Sequence, residues 1–425
     1  MHLALCAIRN PKVSIIIPVY NDEMYVGKAI ESALGQTLGD VEVVVVDDGS
    51  TDGTPDVIRR YEGRILSLRQ DNCGTVAAVR NAGVAASHGR YLCFLDSDDT
   101  FLPEKAEIQS RYLDQHPDVG LCYGGWLEVD IESGKVLRDY SLARPERRLD
   151  SDIFPPPFPV FSALVGRQWF ERAGGFDERF KCVEDSVLWR RLWAEGCVFK
   201  RTKGAVARRG VRPNSKSRNV PRHSTYAICA FKMHFARMGR RADREIRVWK
   251  LSGEWIRQAG HHFVRGEDEL VLKAFRQGFR YNPKMLCEPA NWARLFTQLE
   301  LSAPDGQRTD VKRFPDLFER LVGLALGAMS QNAECLAPQD RRAVKSALAY
   351  ALSIQAYLKG NLLQTFRWGI KALLASRGRF PAGVDWPLIR RGLRRIRYRF
   401  VSILAHGLRR SSRKTKSPPT RCDND

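Results

Sequence analysis

Short apolar runs and segments of helical spacing alternate along the first third of the chain. Val13-Ser14-Ile15-Ile16-Ile17 is a β-branched run stopped by Pro18. After it Val26, Ile30, Ala33 and Leu34 recur every three or four residues, with Asp22 placed to cap a helix. Val41 to Val46 is the strongest strand signal and ends at Asp47-Asp48-Gly49-Ser50. Thr54-Pro55 opens a second helix, with proline in the first turn where its missing N–H costs nothing. Ile65 to Leu68 predicts a third strand and Thr75 to Ala86 an alanine-rich helix. Tyr91 to Leu95 predicts a fourth strand, and Val119 to Tyr123 a fifth after a helix from Pro103. Strands apolar on both faces and separated by helices predict a mostly parallel sheet covered on both sides. Ligands of such sheets bind beyond the carboxyl ends of the strands. The polar residues fall at that edge: Pro18 to Asn21 after the first strand, Asp47-Asp48 after the second, Asp96 to Asp99 after the fourth.

Beyond Tyr123 the periodicity weakens. Arg138 to Asp152 is highly charged and Phe154 to Pro159 is too proline-rich for helix, so 124–159 reads as loop, either lining a cleft or acting as a linker. Ala163 to Gly166, a short helix Gln168–Ala173 and Gly174-Gly175-Phe176-Asp177 follow. Glu184-Asp185 then precedes a helical run, Ser186–Ala194. Carboxylates at a helix start gain about 0.3–1 kcal/mol from the helix dipole, so capping competes here with a role as general base. Residues 203–222 hold seven lysines and arginines and no acid, which reads as a basic loop, solvated or neutralising phosphate.

From about Pro221 the text is helical. Leu272 to Arg280 and Leu363 to Lys371 share a cadence about 91 residues apart, either a trace of a helical repeat or coincidence among basic helices. Between Pro387 and Lys416, Ile389, Leu393, Ile396, Phe400 and Leu408 form one stripe among eleven basic residues and no acid. Such a basic amphipathic helix suits an anionic membrane surface, with docking on its own protein or adventitious nucleic-acid binding as the alternatives. The last fifteen residues, Ser411 to Asp425, are expected to be disordered.

Composition narrows the classes. The 425 residues suffice for two or three domains, and the formal charge of +21, concentrated toward the C-terminal half, suggests an anionic partner. No run reaches the length of a membrane span, and the N-terminus lacks a signal peptide's basic start and long apolar core. Ten scattered cysteines without a CxxC pair fit a reducing cytoplasm. His261-His262 alone is too little for a zinc site. The first turn, PVYNDEMYVG, lacks the GxGxxG of dinucleotide folds, and no GxxxxGK[ST] occurs, which disfavours a nicotinamide enzyme or a P-loop ATPase. Three acids within four residues at Asp96, Asp98 and Asp99 repel unless a cation compensates them. Mg²⁺ takes one or two carboxylates plus substrate phosphates, which makes Asp96-Ser97-Asp98 a candidate metal–diphosphate clamp.

These segments together resemble family 2 glycosyltransferases. The resemblance rests on VSIIIPVYND (13–22), VEVVVVDDGSTDGT (41–54), DNCGTVAAVRNAG (71–83), YLCFLDSDD (91–99) and GGFDERF…VEDSVLWRRLWAEG (174–196), and covers about half the chain. It implies an α/β GT-A fold, a Rossmann-like mostly parallel sheet with helices on both faces, over residues 11–220. An all-α accessory region over 221–385 and the basic tail, 386–425, would follow. It further implies metal-dependent, inverting transfer of a sugar from a nucleotide-diphosphate donor, with Mg²⁺ or Mn²⁺ as cofactor. Pro18, Tyr20 and Asn21 would line the nucleotide pocket. Asp47 or Asp48 would hold base or ribose, the first being favoured for the base, and Arg80 would lie near the donor. Asp96 and Asp98 resemble the DxD pair, with Asp98 the direct metal ligand, and Asp185 falls at the catalytic base, with Glu184 in support. Many relatives carry a histidine after the Glu-Asp helix where Arg212 stands here; arginine can clamp a diphosphate bidentately. The expected acceptor is a saccharide or lipid-linked molecule of a surface polysaccharide or glycolipid. The expected place is the cytoplasm, peripheral on the inner face of the membrane, with no specific nucleic acid. The competing reading is a non-catalytic nucleotide-sugar-binding adaptor whose helical half binds a protein or glycan.

Overall fold

The computed structural model describes residues 11–142, 158–212, 220–239 and 244–283, then 285–287, 314–330, 342–349 and five single positions. The chain divides into two compact units, Met1–Lys250 and Leu251–Asp425.

The first unit is built on a nine-stranded mixed sheet in the order β3-β2-β1-β4-β8-β6-β9-β5, with β7 paired to β6. The strands are β1 Val13–Val19, β2 Val41–Asp47, β3 Leu66–Arg69, β4 Tyr91–Phe94, β5 Thr100–Phe101, β6 Val119–Asp130, β7 Val136–Asp139, β8 Ala163–Gly166 and β9 Val198–Val211. Strands β3, β2, β1 and β4 are mutually parallel, β8 runs antiparallel between β4 and β6, and β9 is parallel to β6. Every residue of β1 is buried because the strand is central and covered on both faces. Ile15 and Ile17 face the core shared with α1 (Val26–Leu34) and α4 (Lys105–Gln115), while Ile16 joins Phe94, Phe170 and Leu188 on the other side. Pro18 is tolerated inside β1 because pairing with β4 ends at Ile16 and Phe94, so no N–H is missed there.

Helix α2 (Thr54–Arg59) starts with proline in its first turn as expected, and Thr75 Oγ1 caps α3 (Val76–Ala85) by accepting from Ala77 N. A Cβ on Gly83 would meet Ile16 Cγ2 at 2.5 Å, so glycine lets α3 lie directly on β1. After α5 (Arg167–Arg172) comes α6 (Glu184–Ala194), whose Val187 packs with Phe180 and with Ala230 of α7 (Val220–Met238).

Three sequence expectations change. Residues 124–159 are not all loop: β6 continues to Asp130 and β7 follows, while 143–157 lie outside the described residues. Residues 203–211 are strand rather than basic loop, because Phe199, Val206 and Ala207 turn inward while Lys200, Lys203 and Arg208 stay exposed. The first unit extends past residue 220, since α7 lays its apolar face on α6.

In the second unit the described regular elements are all helical. They include α8 (Arg244–Val264) from Leu251 on, α9 (Asp268–Phe279) and α10 (Phe314–Ser330). Ile256, Phe263, Phe275, Trp292, Leu321 and Leu348 share its core, and Trp292 Nε1 donates to the Leu286 carbonyl at 2.7 Å. No described helix is long and apolar enough to cross a membrane. The tail expected at 386–425 lies outside the described residues.

Candidate active site

The expected polar residues do gather at the carboxyl ends of β1, β2 and β4. After β1, Tyr20 is 41% exposed, and Asn21 sits in the left-handed region at φ 50°, which asparagine tolerates better than most residues. Asn21 Oδ1 accepts from Thr51 N at 2.7 Å, and Asn21 N donates to Ser50 Oγ at 2.9 Å, locking the first two strand-end loops together. Asp47 has both oxygens engaged: Oδ1 accepts from Ser50 N at 2.9 Å and Oδ2 from Arg69 at 2.7 Å. Asp48 Oδ1 accepts from Gln70 Nε2 at 2.8 Å and from Cys73 N at 3.1 Å, and the Cys73 side chain also hydrogen-bonds Asp48. Both carboxylates are buried.

The acidic turn after β4 is closed by Asp99 N donating to the Asp96 carbonyl at 3.0 Å. Each of its polar side chains has a different partner. Asp96 Oδ1 accepts from Arg80 Nη2 at 2.5 Å, and Ser97 Oγ donates to Asp22 Oδ2 at 2.5 Å. Asp98 Oδ2 lies 3.1 Å from Arg212 Nε, and the buried Asp99 accepts from Gly210 N at 2.8 Å. Arg212 also donates to Asp22 Oδ2 at 2.8 Å and lies 4.3 Å over the ring of Tyr25. Asp22 therefore binds Ser97 and Arg212 instead of capping α1 with its side chain. Asp99 and Gly210 fix β9 so that Arg212, two residues on, reaches the turn.

The crowded acids leave excess negative charge. Burial, then Asp96 and Asp22, push Asp98 up to about 6 against the pull of Arg212. Burial, then Asp98 and Asp96, hold Asp99 well above the carboxylate range. Arg80 is 2% exposed; burial works against its charge, yet Asp96 and Glu184 hold its pKa above the ordinary value. Its Nη1 donates to Glu184 Oε1 at 2.6 Å, which brings the Glu-Asp pair to the same corner as Asp96. Asp185 follows at the first turn of α6, where burial and then Glu184 push it up to about 6, opposed by Arg80. Val183, just before α6, is left-handed at φ 59°, a strained setting for a β-branched residue that aims the helix start.

Among the described residues, no group of three or more metal-ligating side chains stands ready to hold an ion. Asp96 and Asp98 nonetheless fit one. Burial first, then Asp96, raise Asp98, and two carboxylates are what Mg²⁺ takes when a diphosphate supplies other oxygens. The residues suit a metal that arrives with a phosphorylated ligand. Sequence reasoning gave Asp22 a helix cap instead of Ser97 and Arg212, missed Gly210, and left Asp99 without a role; the pairing of Gly210 N with Asp99 across the sheet has no signal in one dimension.

Residues 14–165 match the family described as Glycosyl transferase family 2. An uncharacterized glycosyltransferase of Rickettsia prowazekii is 33% identical over 202 residues, covering 45% of this chain and 62% of that protein. Chondroitin synthase of Pasteurella multocida is 30% identical over 188 residues, covering 43% of this chain and 19% of that protein. The match thus spans about three fifths of the length of the Rickettsia prowazekii and Rickettsia typhi relatives and about a third or less of those of R. bellii, R. felis and R. conorii. Among solved structures, S. aureus TarS 1–349 in complex with UDP-GlcNAc gives a TM-score of 0.51 at 16% identity, covering 82% of this chain and 92% of that one. That likeness is one of fold, and it agrees with the α/β GT-A arrangement expected from the strand-end motifs.

Proposed function

We propose that this chain, whose residues 14–165 belong to glycosyl transferase family 2, moves a sugar from a nucleoside-diphosphate donor to an acceptor hydroxyl with inversion at the anomeric carbon. One observation carries the reading. Arg80 joins Asp96 at 2.5 Å and Glu184 at 2.6 Å, so a candidate diphosphate site and a candidate base share one end of the sheet.

In this reading Asp185 removes the proton of the acceptor hydroxyl. The acceptor oxygen forms the new bond to the anomeric carbon as the old bond to the diphosphate oxygen breaks, and its electron pair leaves with the diphosphate. A single displacement of this kind needs one base and no second nucleophilic carboxylate. A base held up to about 6 is ionised at neutral pH yet basic enough to take part in proton transfer. Asp96 and Asp98 would hold Mg²⁺ or Mn²⁺, which neutralises charge on the leaving diphosphate. Arg212 offers its guanidinium to the same oxygens. Pro18, Tyr20 and Asn21 form the wall on which the nucleoside rests. Asp47 or Asp48 would hold its base or ribose. Arg80 acts from behind Asp96.

The acceptor proposed is a saccharide or lipid-linked saccharide of a surface polysaccharide, in keeping with the chondroitin synthase among the relatives. Attachment to an anionic membrane through the basic tail 386–425 is proposed from sequence alone. The test incubates purified protein with UDP-, GDP- and dTDP-sugars and Mn²⁺ and follows nucleotide release. Turnover that Asp98→Ala abolishes supports the enzyme. Metal-dependent binding of nucleotide without turnover on any acceptor would favour the adaptor instead.

A further inference from the structure

Arg80 is the charged residue of this site that the reaction above leaves without a direct task. It rises from the middle of α3, is 2% exposed, and has both terminal nitrogens committed, to Glu184 and to Asp96. The ring of Phe176 covers the guanidinium at 5.4 Å. Gly83 presses α3 against Ile16, so the helix that carries Arg80 has no room to shift on the sheet. Glu184, 8% exposed, gives Oε1 to Arg80 and is the covalent neighbour of Asp185. Arg80 is therefore a rigid strut from the acidic turn to the first turn of α6.

We infer that Arg80 and Glu184 are a positioning pair that sets how readily Asp185 takes and releases its proton. This rests on the reading of Asp185 as the base. The two halves of the pair act on Asp185 in opposite directions. Glu184 places negative charge beside it and favours its protonated form; Arg80 places positive charge nearby and favours the ionised form. Asp96 also bears on Asp185, in the same sense as Glu184, while the Ser186 N–H donates to Asp185 and stabilises the anion. With Arg80 removed, Glu184 and Asp96 would both act on Asp185 uncompensated, and the base would stay protonated at neutral pH. With Glu184 neutralised, Arg80 would make Asp185 more acidic and a weaker base. A purely structural ion pair predicts no such opposition, only loss of stability on either side.

The test is a ¹³C NMR titration of the full chain with carboxyl-labelled aspartate, in which Asp185→Asn identifies the Asp185 resonance. The wild-type midpoint is expected near pH 6. Glu184→Gln should lower it and Arg80→Met raise it, each by about one unit or more. Arg80→Lys should restore most of the wild-type value, and the double variant Arg80→Met/Glu184→Gln should fall between the single ones. If Arg80→Met does not fold, Glu184→Gln, which leaves Arg80 paired with Asp96, decides alone. Midpoints that move together, or not at all, overturn the pair. Donor turnover in parallel separates this from the reading it rests on: an active Asp185→Asn enzyme removes the base, and the pair's catalytic role with it, whatever the titration shows.

Discussion

Gly210 offers a sharp trial of how the acidic turn is held. Its N–H donates to Asp99 at 2.8 Å, and a Cβ there would meet Ile131 Cδ1 at 2.9 Å and the Asp98 carbonyl oxygen closer still. Ordinary contact begins at 3.4 Å, so Gly210→Ala must push the turn and β9 apart by about 1 Å. Overpacking of this kind costs about 1–3 kcal/mol. For a domain of this size each kcal/mol lowers Tm by about 2–4 °C. The larger effect should be chemical, because displacing reacting groups by about 1 Å can cost on the order of 100-fold in rate. Gly39, with nothing within 4 Å, is the control, and Gly39→Ala should change neither quantity. Urea unfolding followed by tryptophan fluorescence reads the first effect, and calorimetric titration with UDP and Mn²⁺ alongside donor turnover reads the second. A Gly210→Ala protein as stable as Gly39→Ala, with unchanged UDP affinity, would refute the claim that β9 and the acidic turn are packed to their limit.

Other outcomes follow from the same geometry. Asp185→Asn should abolish turnover and keep UDP–Mn²⁺ binding, and the wild-type rate should fall as pH drops through about 6, where the base becomes protonated; a flat profile from pH 5 to 8 counts against the assignment. Asp98 is held above its unfolded value, so its ionised form costs stability as pH rises from 3.8 through about 6. Asp98→Asn should therefore raise the Tm of the ligand-free protein at pH 7.5, leave it unchanged at pH 3.5, and lose metal-dependent nucleotide binding; an unchanged Tm at pH 7.5 contradicts the sign. Asn21→Ala loses the Thr51 hydrogen bond and strains a left-handed residue, for about 2 kcal/mol, whereas Asn21→Gly keeps the backbone and should cost about half as much. Equal losses in urea unfolding would show that φ at Asn21 is unimportant.

The parts of the fold legible in one dimension were those whose signal is local. The β-branched runs of β1 and β2 announce buried strands because both faces are covered, and the acids at their ends follow because a strand leaving the core must meet water or a ligand. Strand β9 was illegible for a physical reason. Its Lys200, Lys203 and Arg208 lie on an exposed side, and small residues such as Ala205 and Gly204 blur the alternation, so the stretch reads as a basic loop. The partners of the acidic turn were equally hidden. Asp22 as the acceptor of Ser97 and Arg212, and Gly210 as the donor to Asp99, depend on pairings across the sheet that no spacing rule contains. Arg212 could be aligned by motif, but its reach to Asp98 exists only because β9 is a strand in register with β6.

That pairing of β6 with β9 has a consequence for how the protein is born. The hydrogen bond from Gly210 to Asp99 joins residues 111 apart, and Arg212 follows it. At about 5–20 residues per second of synthesis, the acidic turn is made roughly 5–20 s before the strand that compensates it. During that interval Arg80 is the cationic partner of the turn already made. Two of the turn's partners, the Gly210 N–H and Arg212, thus arrive last in the assembly of the site.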